Sequence, residues 1–138
     1  MDAATARRRF AQARVARLAT ITPDGRPHLV PIVFVLRGDT VLSAVDAKPK
    51  RTAALARLAN VAAHPEASVL TDHYEEDWSA LWWVRADGRA RVLEPELPEA
   101  AEAIVRLRER YPQQQVTGAV LALDVERWTG WAASGVSR

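Results

Sequence analysis

One stretch limits the fold more than any other. From Leu18 to Leu36, two apolar runs flank Thr22-Pro23-Asp24-Gly25. Pro23 presets φ for the second position of a turn. Asp24 can close an Asx-type hydrogen bond, and Gly25 can take the positive φ that leads into the next strand. The pattern predicts a hairpin of strands Val15 to Ile21 and Arg26 to Leu36. The second run, Leu29 to Leu36, is apolar at nearly every position, which predicts a strand buried on both faces. One face would line the inside of a barrel or sandwich. The other needs a helix, a partner subunit or a ligand to cover it.

The rest of the chain reads outward from that hairpin. Residues 3 to 13 predict a helix, capped by Asp2 or Thr5, with Phe10 on one side and Arg7, Arg8 and Arg9 spread around it as a solvated face. Arg37-Gly38-Asp39 is a second tight turn and Thr40 to Val45 a third strand, so the first half reads as a three-strand meander. Asp46 to Thr52 leads into a helix whose stripe is Leu55, Leu58 and Ala62 with Val61 beside it, ended by His64-Pro65. Ala67 to Thr71 is a short strand and Asp72 to Asp77 an acidic loop. Trp78 to Leu93 is strand-rich. Ala86-Asp87-Gly88 either turns it into a hairpin or places Gly88 at a bulge in one long strand. Pro98 to Tyr111 is a helix, with Ala100, Ile104, Leu107 and Tyr111 on one stripe. Ala119 to Val125 is a last strand. Strands joined by hairpins carry most of the apolar content, which favours a mainly β, antiparallel barrel with peripheral helices.

At 138 residues the chain is expected to form a single domain. With no cysteine it has neither a disulfide framework nor a thiolate. Met1 to Arg9 lacks an apolar segment after its charges, and no apolar run reaches the length of a membrane span. A cytoplasmic protein with no membrane partner is the expectation. The net charge of +2 suits a phosphorylated small molecule and does not call for nucleic acid.

The side chains narrow the chemistry. His28, His64 and His73 stand far apart and match no metal-ligand spacing, and the acidic residues around His73 lack the glycine of a calcium loop. No metal site is expected. No serine has a recognisable His and Asp set, and no glycine-rich phosphate loop is present. What remains is basic. Lys48 and Lys50 are the only lysines in the chain, and they sit between a strand and a helix start. Ser43 to Thr52 adds Arg51, the hydroxyls of Ser43 and Thr52, and the free amides of the first helical turn, which together make an anion site or simply an exposed pair of lysines. Five tryptophans are many for this length. Adjacent Trp82 and Trp83 point to opposite faces of their strand, as core and interface packing. Trp128 and Trp131 follow the last strand and read as the rim of a ligand site.

The order of these motifs resembles a known family. Leu18-Ala-Thr-Ile-Thr-Pro-Asp-Gly-Arg-Pro-His28 with Pro31, Val45-Asp46-Ala47-Lys48-Pro49-Lys50, Val69 to Trp78, Leu81-Trp-Trp-Val84 and Arg127-Trp128-Thr-Gly-Trp131 are similar to stretches of the FMN-binding split barrels related to pyridoxamine 5′-phosphate oxidase. Within them the chain resembles the small branch that uses the deazaflavin coenzyme F-420. The resemblance implies a six-stranded antiparallel split β-barrel of FMN-binding split-barrel type, a homodimer with two cofactor sites between the subunits, and Gly88 at a bulge. It implies that Lys48 and Lys50, with Arg51, hold a phosphate; that Ser43 and Val45 lie at the end of the neighbouring strand; and that the ring lies along Pro31, Ile32 and Val33. Trp128, with Trp131 near it, would border the cofactor of the other subunit. Where the oxidases carry an Arg and a Lys on the second strand, this chain has Val30 and Val35, and the oxidases' C-terminal Arg-x-His-x-Arg motif is absent. The function implied is a deazaflavin-dependent oxidoreductase moving a hydride to or from a small molecule, with an FMN-binding flavoprotein or a non-catalytic flavin- or tetrapyrrole-binding protein as alternatives. No side chain is an evident catalytic acid; Tyr74 and His73 are candidates only if their loop reaches the site. If the lysines hold a phosphate, each charge-assisted hydrogen bond contributes roughly 1.5–3 kcal/mol. Replacing Lys48 and Lys50 together by alanine is expected to weaken cofactor binding by about tenfold or more, read by fluorescence titration, with the fold unchanged.

Overall fold

The computed structural model describes residues 1–45, 51–114 and 118–133, with side chains from residue 56 onward in the helix that begins at Arg51. In chain order the elements are α1 (Ala3–Gln12), β1 (Ala16–Ile21), β2 (Pro27–Ile32), β3 (Val35–Arg37), β4 (Thr40–Ala44), α2 (Arg51–Ala63), β5 (Glu66–His73), β6 (Trp82–Leu93), α3 (Pro98–Arg110) and β7 (Val120–Ala132), with a short 3-10 turn at Trp78–Ala80. The strands form one antiparallel sheet in the order β2-β1-β5-β6-β7-β4-β3. No helix among the described residues is long and apolar enough to cross a membrane.

The hairpin at Thr22 to Gly25 forms as its residues dictate. Gly25 takes φ +89°, its N–H donates to Thr22 O at 2.8 Å, and the Arg26 N–H donates to Thr22 Oγ1 at 2.8 Å. The side chain that ties the turn is therefore Thr22, whose hydroxyl in turn donates to Asp24.

The single strand expected from Arg26 to Leu36 does not exist. It breaks at Val33-Phe34 into β2, which pairs with β1, and β3, which pairs with β4 at the other end of the sheet order. The two edges of the sheet are therefore two residues apart in the chain, and the sheet curls round to bring them together. This break explains why seven strands appear where six were expected, and why the first half is two separate hairpins and not a meander. It also revises the burial. Phe34 and Val35 are buried, but Leu29 is 68% exposed and Pro31 lies at the surface.

Inside the curled sheet, Leu18, Ile32, Val41, Val69, Val84 and Leu121 make a shared core. Alternation along each strand puts them there: β6 buries Val84, Ala86, Gly88 and Ala90 and turns Trp83, Arg85, Asp87 and Arg89 outward. α1 packs on β6 and β7, inserting Ala6 and Phe10 into this core. Its first turn is capped by Asp2, whose carboxylate accepts from the Thr5 N–H at 2.7 Å. α2 packs on β1 and β6. It buries Val61 and Asn60, whose amide donates to Thr20 Oγ1 at 3.1 Å, while Ala62, expected on the apolar stripe, is exposed. α3 covers the outer side of β3, β4 and β7, where Ala100, Ala103 and Leu107 meet Val35, Leu42 and Val120.

β6 is one long strand, so Gly88 does not turn a hairpin. Opposite Asp87 and Gly88 stand Arg127 and Val125, which leaves Glu126 as the extra residue of a β-bulge. The pinch needs glycine: a Cβ at residue 88 would lie 2.0 Å from the Asp124 carbonyl oxygen. β7 continues past Val125 to Ala132, so the Arg127-to-Trp131 motif lies within the sheet. Likewise Asp72 and His73 belong to β5 and not to the acidic loop.

Arg91 ties α3 to the sheet. Its guanidinium donates to both carboxylate oxygens of Glu99, at 3.1 and 3.0 Å, and to those of Asp124, at 2.7 and 3.1 Å. Those hydrogen bonds hold both carboxyls below their ordinary range. A lowered folded-state pKa gives stability that is complete above the unfolded value, about 4, and is lost as the pH falls through the folded one. The urea midpoint is expected to drop as the pH is lowered below about 4.5. In Arg91→Leu the midpoint should start lower and fall less over the same interval; an unchanged slope would remove Arg91 as the cause.

Candidate functional site

A break in a strand leaves peptide groups without ladder partners, and inside a protein they must find others. At Val33-Phe34 they find side chains from three distant places. Ser43 Oγ donates to Val33 O at 2.9 Å. Arg110 donates to Phe34 O at 2.8 Å. The Tyr111 hydroxyl lies 3.0 Å from Phe34 O and 2.9 Å from Arg14 O, sharing its one proton between them, and accepts from the Phe34 N–H at 3.4 Å. Arg110 also donates to Ala11 O at 3.2 Å and to Ala13 O, so the last residues of α3 clamp the end of α1 and the break together. Arg14 completes the corner by donating to Arg110 O at 3.0 Å. The guanidiniums of Arg14 and Arg110 stand 4.9 and 5.3 Å from the Tyr111 ring centre.

Beside this corner lies a cavity of about 660 Å³, lined by Arg14, Val33, Tyr111, Pro112, Gln113 and Gln114. The Gln114 side-chain oxygen is buried there without a hydrogen-bond partner among the described residues. Burial pushes the Arg110 guanidinium below its ordinary pKa, and the nearby charge of Arg14 pushes the same way. The site is thus apolar on the Val33 side, aromatic at Tyr111 and positively charged at its rim. A second hollow of about 540 Å³ opens on the outer face of the sheet around Ala19, Ile21, Ser68 and Asp87. Its charged residues are Glu66, Asp87 and Glu126. Asp87 is engaged by Arg85 and Ser68, and Glu66 by Arg89. An anionic ligand fits the first cavity and not the second.

The residues expected in the site divide between these surroundings. Val33 and Ser43 are brought together by their hydrogen bond, but Ser43 is buried and its proton is committed to the Val33 carbonyl. Val45 is buried and its N–H pairs with Ala119 O at 3.0 Å. Ile32 points into the core, whereas Pro31 lies on the outer face. Lys48 and Lys50 lie outside the described residues, as does the side chain of Arg51. Trp128 is held within its own chain: its ring meets Phe10 edge-on at 5.2 Å and its indole N–H donates to Asp39 at 3.1 Å. Trp131 is 47% exposed, opposite Trp83 on the outer face. Neither His73 nor Tyr74 lines the cavity: His73 bonds Glu75, and Tyr74 packs on Trp78 at 6.0 Å. Among the described residues no group of His, Asp and Glu is placed to hold a metal ion. Arg14, Tyr111 and Gln114 were not expected in the site. Tyr111 read as the end of an apolar stripe, and nothing local to Arg14 links it to a residue 97 positions away.

Comparison with known proteins agrees with this architecture. The sequence pattern of the family described as pyridoxamine 5′-phosphate oxidase matches residues 3–132. No curated protein matches. Among solved structures, a conserved hypothetical protein of Mycobacterium tuberculosis superimposes with a TM-score of 0.74 at 23% identity, covering 96% of this chain and 86% of that one. An FAD-binding protein of Mesorhizobium loti gives 0.71 at 20% identity, covering 94% of each chain. A haem storage protein of Vibrio cholerae gives 0.66 at 22% identity, covering 96% of this chain and 95% of that one. At these identities the likeness is one of fold.

The corner makes a prediction of its own. Tyr111→Phe keeps the ring but removes the hydroxyl that serves two carbonyls and one N–H. Stability is expected to fall by about 1–3 kcal/mol in urea denaturation. No change would mean that the break does not depend on this hydroxyl.

Proposed function

The chain belongs to the pyridoxamine 5′-phosphate oxidase family, and we propose that it binds a flavin-type cofactor in the cavity at the β2–β3 break and works as an oxidoreductase on a small molecule. The observation that carries this reading is the corner itself. A cavity of about 660 Å³ falls within the usual range for small-molecule sites. Its apolar wall, aromatic ring, positive rim and orphaned Gln114 oxygen suit a flat polar ring with an anionic tail. Such a group, when bound, supplies the hydride chemistry. The chain's part is to hold it and keep water away. Val33 offers an apolar contact. Ser43, Arg110 and Tyr111 fix the backbone at the break, so that the contact does not shift when the ligand arrives. No described side chain at the cavity is assigned a proton transfer.

Within the flavin class we propose coenzyme F-420 over FMN. Where the oxidases place an Arg and a Lys, this chain has Val30, packed on the core, and Val35, buried under α3. Neither side chain offers a charge or a hydrogen-bond donor to a phosphate. We further propose that the protein is a homodimer. Among the described residues no helix lies over the outer face that carries Leu29, Pro31, Trp83 and Trp131, and a second copy of the chain is the cover that the resemblance implies. Haem binding is the second reading, supported by the haem storage protein that shares the fold.

Titration of the purified chain separates these readings. Quenching of F-420 fluorescence at micromolar concentration is the expected result, with weaker binding of FMN. Tighter FMN binding would overturn the choice of cofactor. A Soret band on adding haem, with no flavin binding, would replace the reading altogether. Sedimentation should give a dimer at the same concentration; a monomer that still binds F-420 would overturn the homodimer and leave the cavity as the cofactor site.

A further inference from the structure

Most of the arginines whose guanidinium contacts are defined are neutralised in place. Arg7, Arg17, Arg37, Arg89 and Arg91 each stand within ion-pair distance of a carboxylate. The two at the corner beside the cavity, of which Arg14 lines it, are different. Arg110 donates to Phe34 O, Ala11 O and Ala13 O, and Arg14 donates to Arg110 O. These partners are all backbone carbonyls, and no carboxylate pairs with either guanidinium among the described residues. Two like charges share one tyrosine ring, and their repulsion has no counter-ion among the described residues.

The two are not equivalent. Arg110 is half-buried, and three of its five N–H donors serve backbone carbonyls. Arg14 is exposed, its guanidinium carbon stands over the Tyr111 ring at 4.9 Å from the centre, and it gives one hydrogen bond through Nη2. Its remaining edge is available. A guanidinium held by stacking is already oriented for two parallel hydrogen bonds to an oxyanion, which a freely rotating lysine is not.

We propose that Arg14 is an anchor for a carboxylate or phosphate group of the ligand in this cavity, with Gln114 Oε1 accepting a hydrogen bond from an N–H or O–H of the same ligand. The inference rests on the reading of this cavity as the cofactor site. It adds an anion contact separate from Lys48 and Lys50. It also explains why the corner tolerates two adjacent positive charges: an anion at Arg14 offsets the repulsion that Arg110 feels while fixed at the strand break.

The test uses the full chain and two kinds of probe. In NMR titrations with inorganic phosphate and with acetate, the Arg14 Nε–H and Tyr111 ring signals should shift saturably. Whichever ion acts at the lower concentration identifies the preferred group. In Arg14→Gln the Tyr111 ring shift should be abolished, and in Arg14→Lys it should persist in weaker form. If Arg14→Gln does not fold, the wild-type and Arg14→Lys titrations decide alone. With flavins, the wild type should bind FMN about tenfold or more tighter than riboflavin, and Arg14→Gln should lose that advantage without weakening riboflavin. FMN binding that survives Arg14→Gln unchanged, or phosphate shifts that persist in it, would overturn the anchor while leaving the cofactor site in place. Phosphate shifts at Arg14 in a chain that binds no flavin would keep the anchor and overturn the cofactor.

Discussion

A strand cannot stop inside a protein without its peptide groups going somewhere, and the rest of this structure follows from where they go. The Val33 carbonyl is held by Ser43, and the Phe34 carbonyl and N–H by Arg110 and Tyr111. Unpaired, each such group would cost on the order of 1–3 kcal/mol. Because they are satisfied, the chain can leave one edge of the sheet and join the other within two residues. That step lets a single sheet enclose a core of its own. It also requires the end of α3 and the end of α1 to stand at the same corner, since they supply the partners. The cavity is what remains between them.

The local features were legible because local chemistry fixes them. The Thr22-to-Gly25 turn, the Asp2 cap and α3 each follow from residues within a few positions of one another. The resemblance carried the barrel and selected the bulge at Gly88 from two open readings. What could not be read were interactions between distant residues. Nothing in Leu29 to Leu36 marks Val33-Phe34 as a break, because an apolar run is equally consistent with one buried strand or with two strands in different surroundings. The partners that make the break possible lie at 43, 110 and 111. Tyr111 has the spacing of a core residue and is in fact buried, so its hydroxyl gave no separate signal. Ser43 read as a ligand hydroxyl, yet its proton serves the backbone.

Two hollows of similar size on one small protein differ mainly in charge. The one on the outer face is bordered by carboxylates that largely meet arginines of β6. The one at the strand break is lined by Arg14, whose guanidinium hydrogen-bonds a carbonyl and, among the described residues, pairs with no carboxylate. Size alone would not choose between them. Surplus charge does, because a ligand must supply what the fold leaves unbalanced. This local imbalance, more than the net charge of the chain, is the ground for proposing an anionic small molecule as the ligand.

β2 lies at the rim of the sheet order and carries prolines at both 27 and 31. Proline is accommodated in a sheet where its missing N–H faces away from the paired neighbour. The open side of β2 therefore lacks two of the donors that an incoming strand would need. Strand addition from another molecule, the usual route to fibrils and swapped sheets, is closed off there, and any self-association at that rim must proceed through side chains, flank to flank.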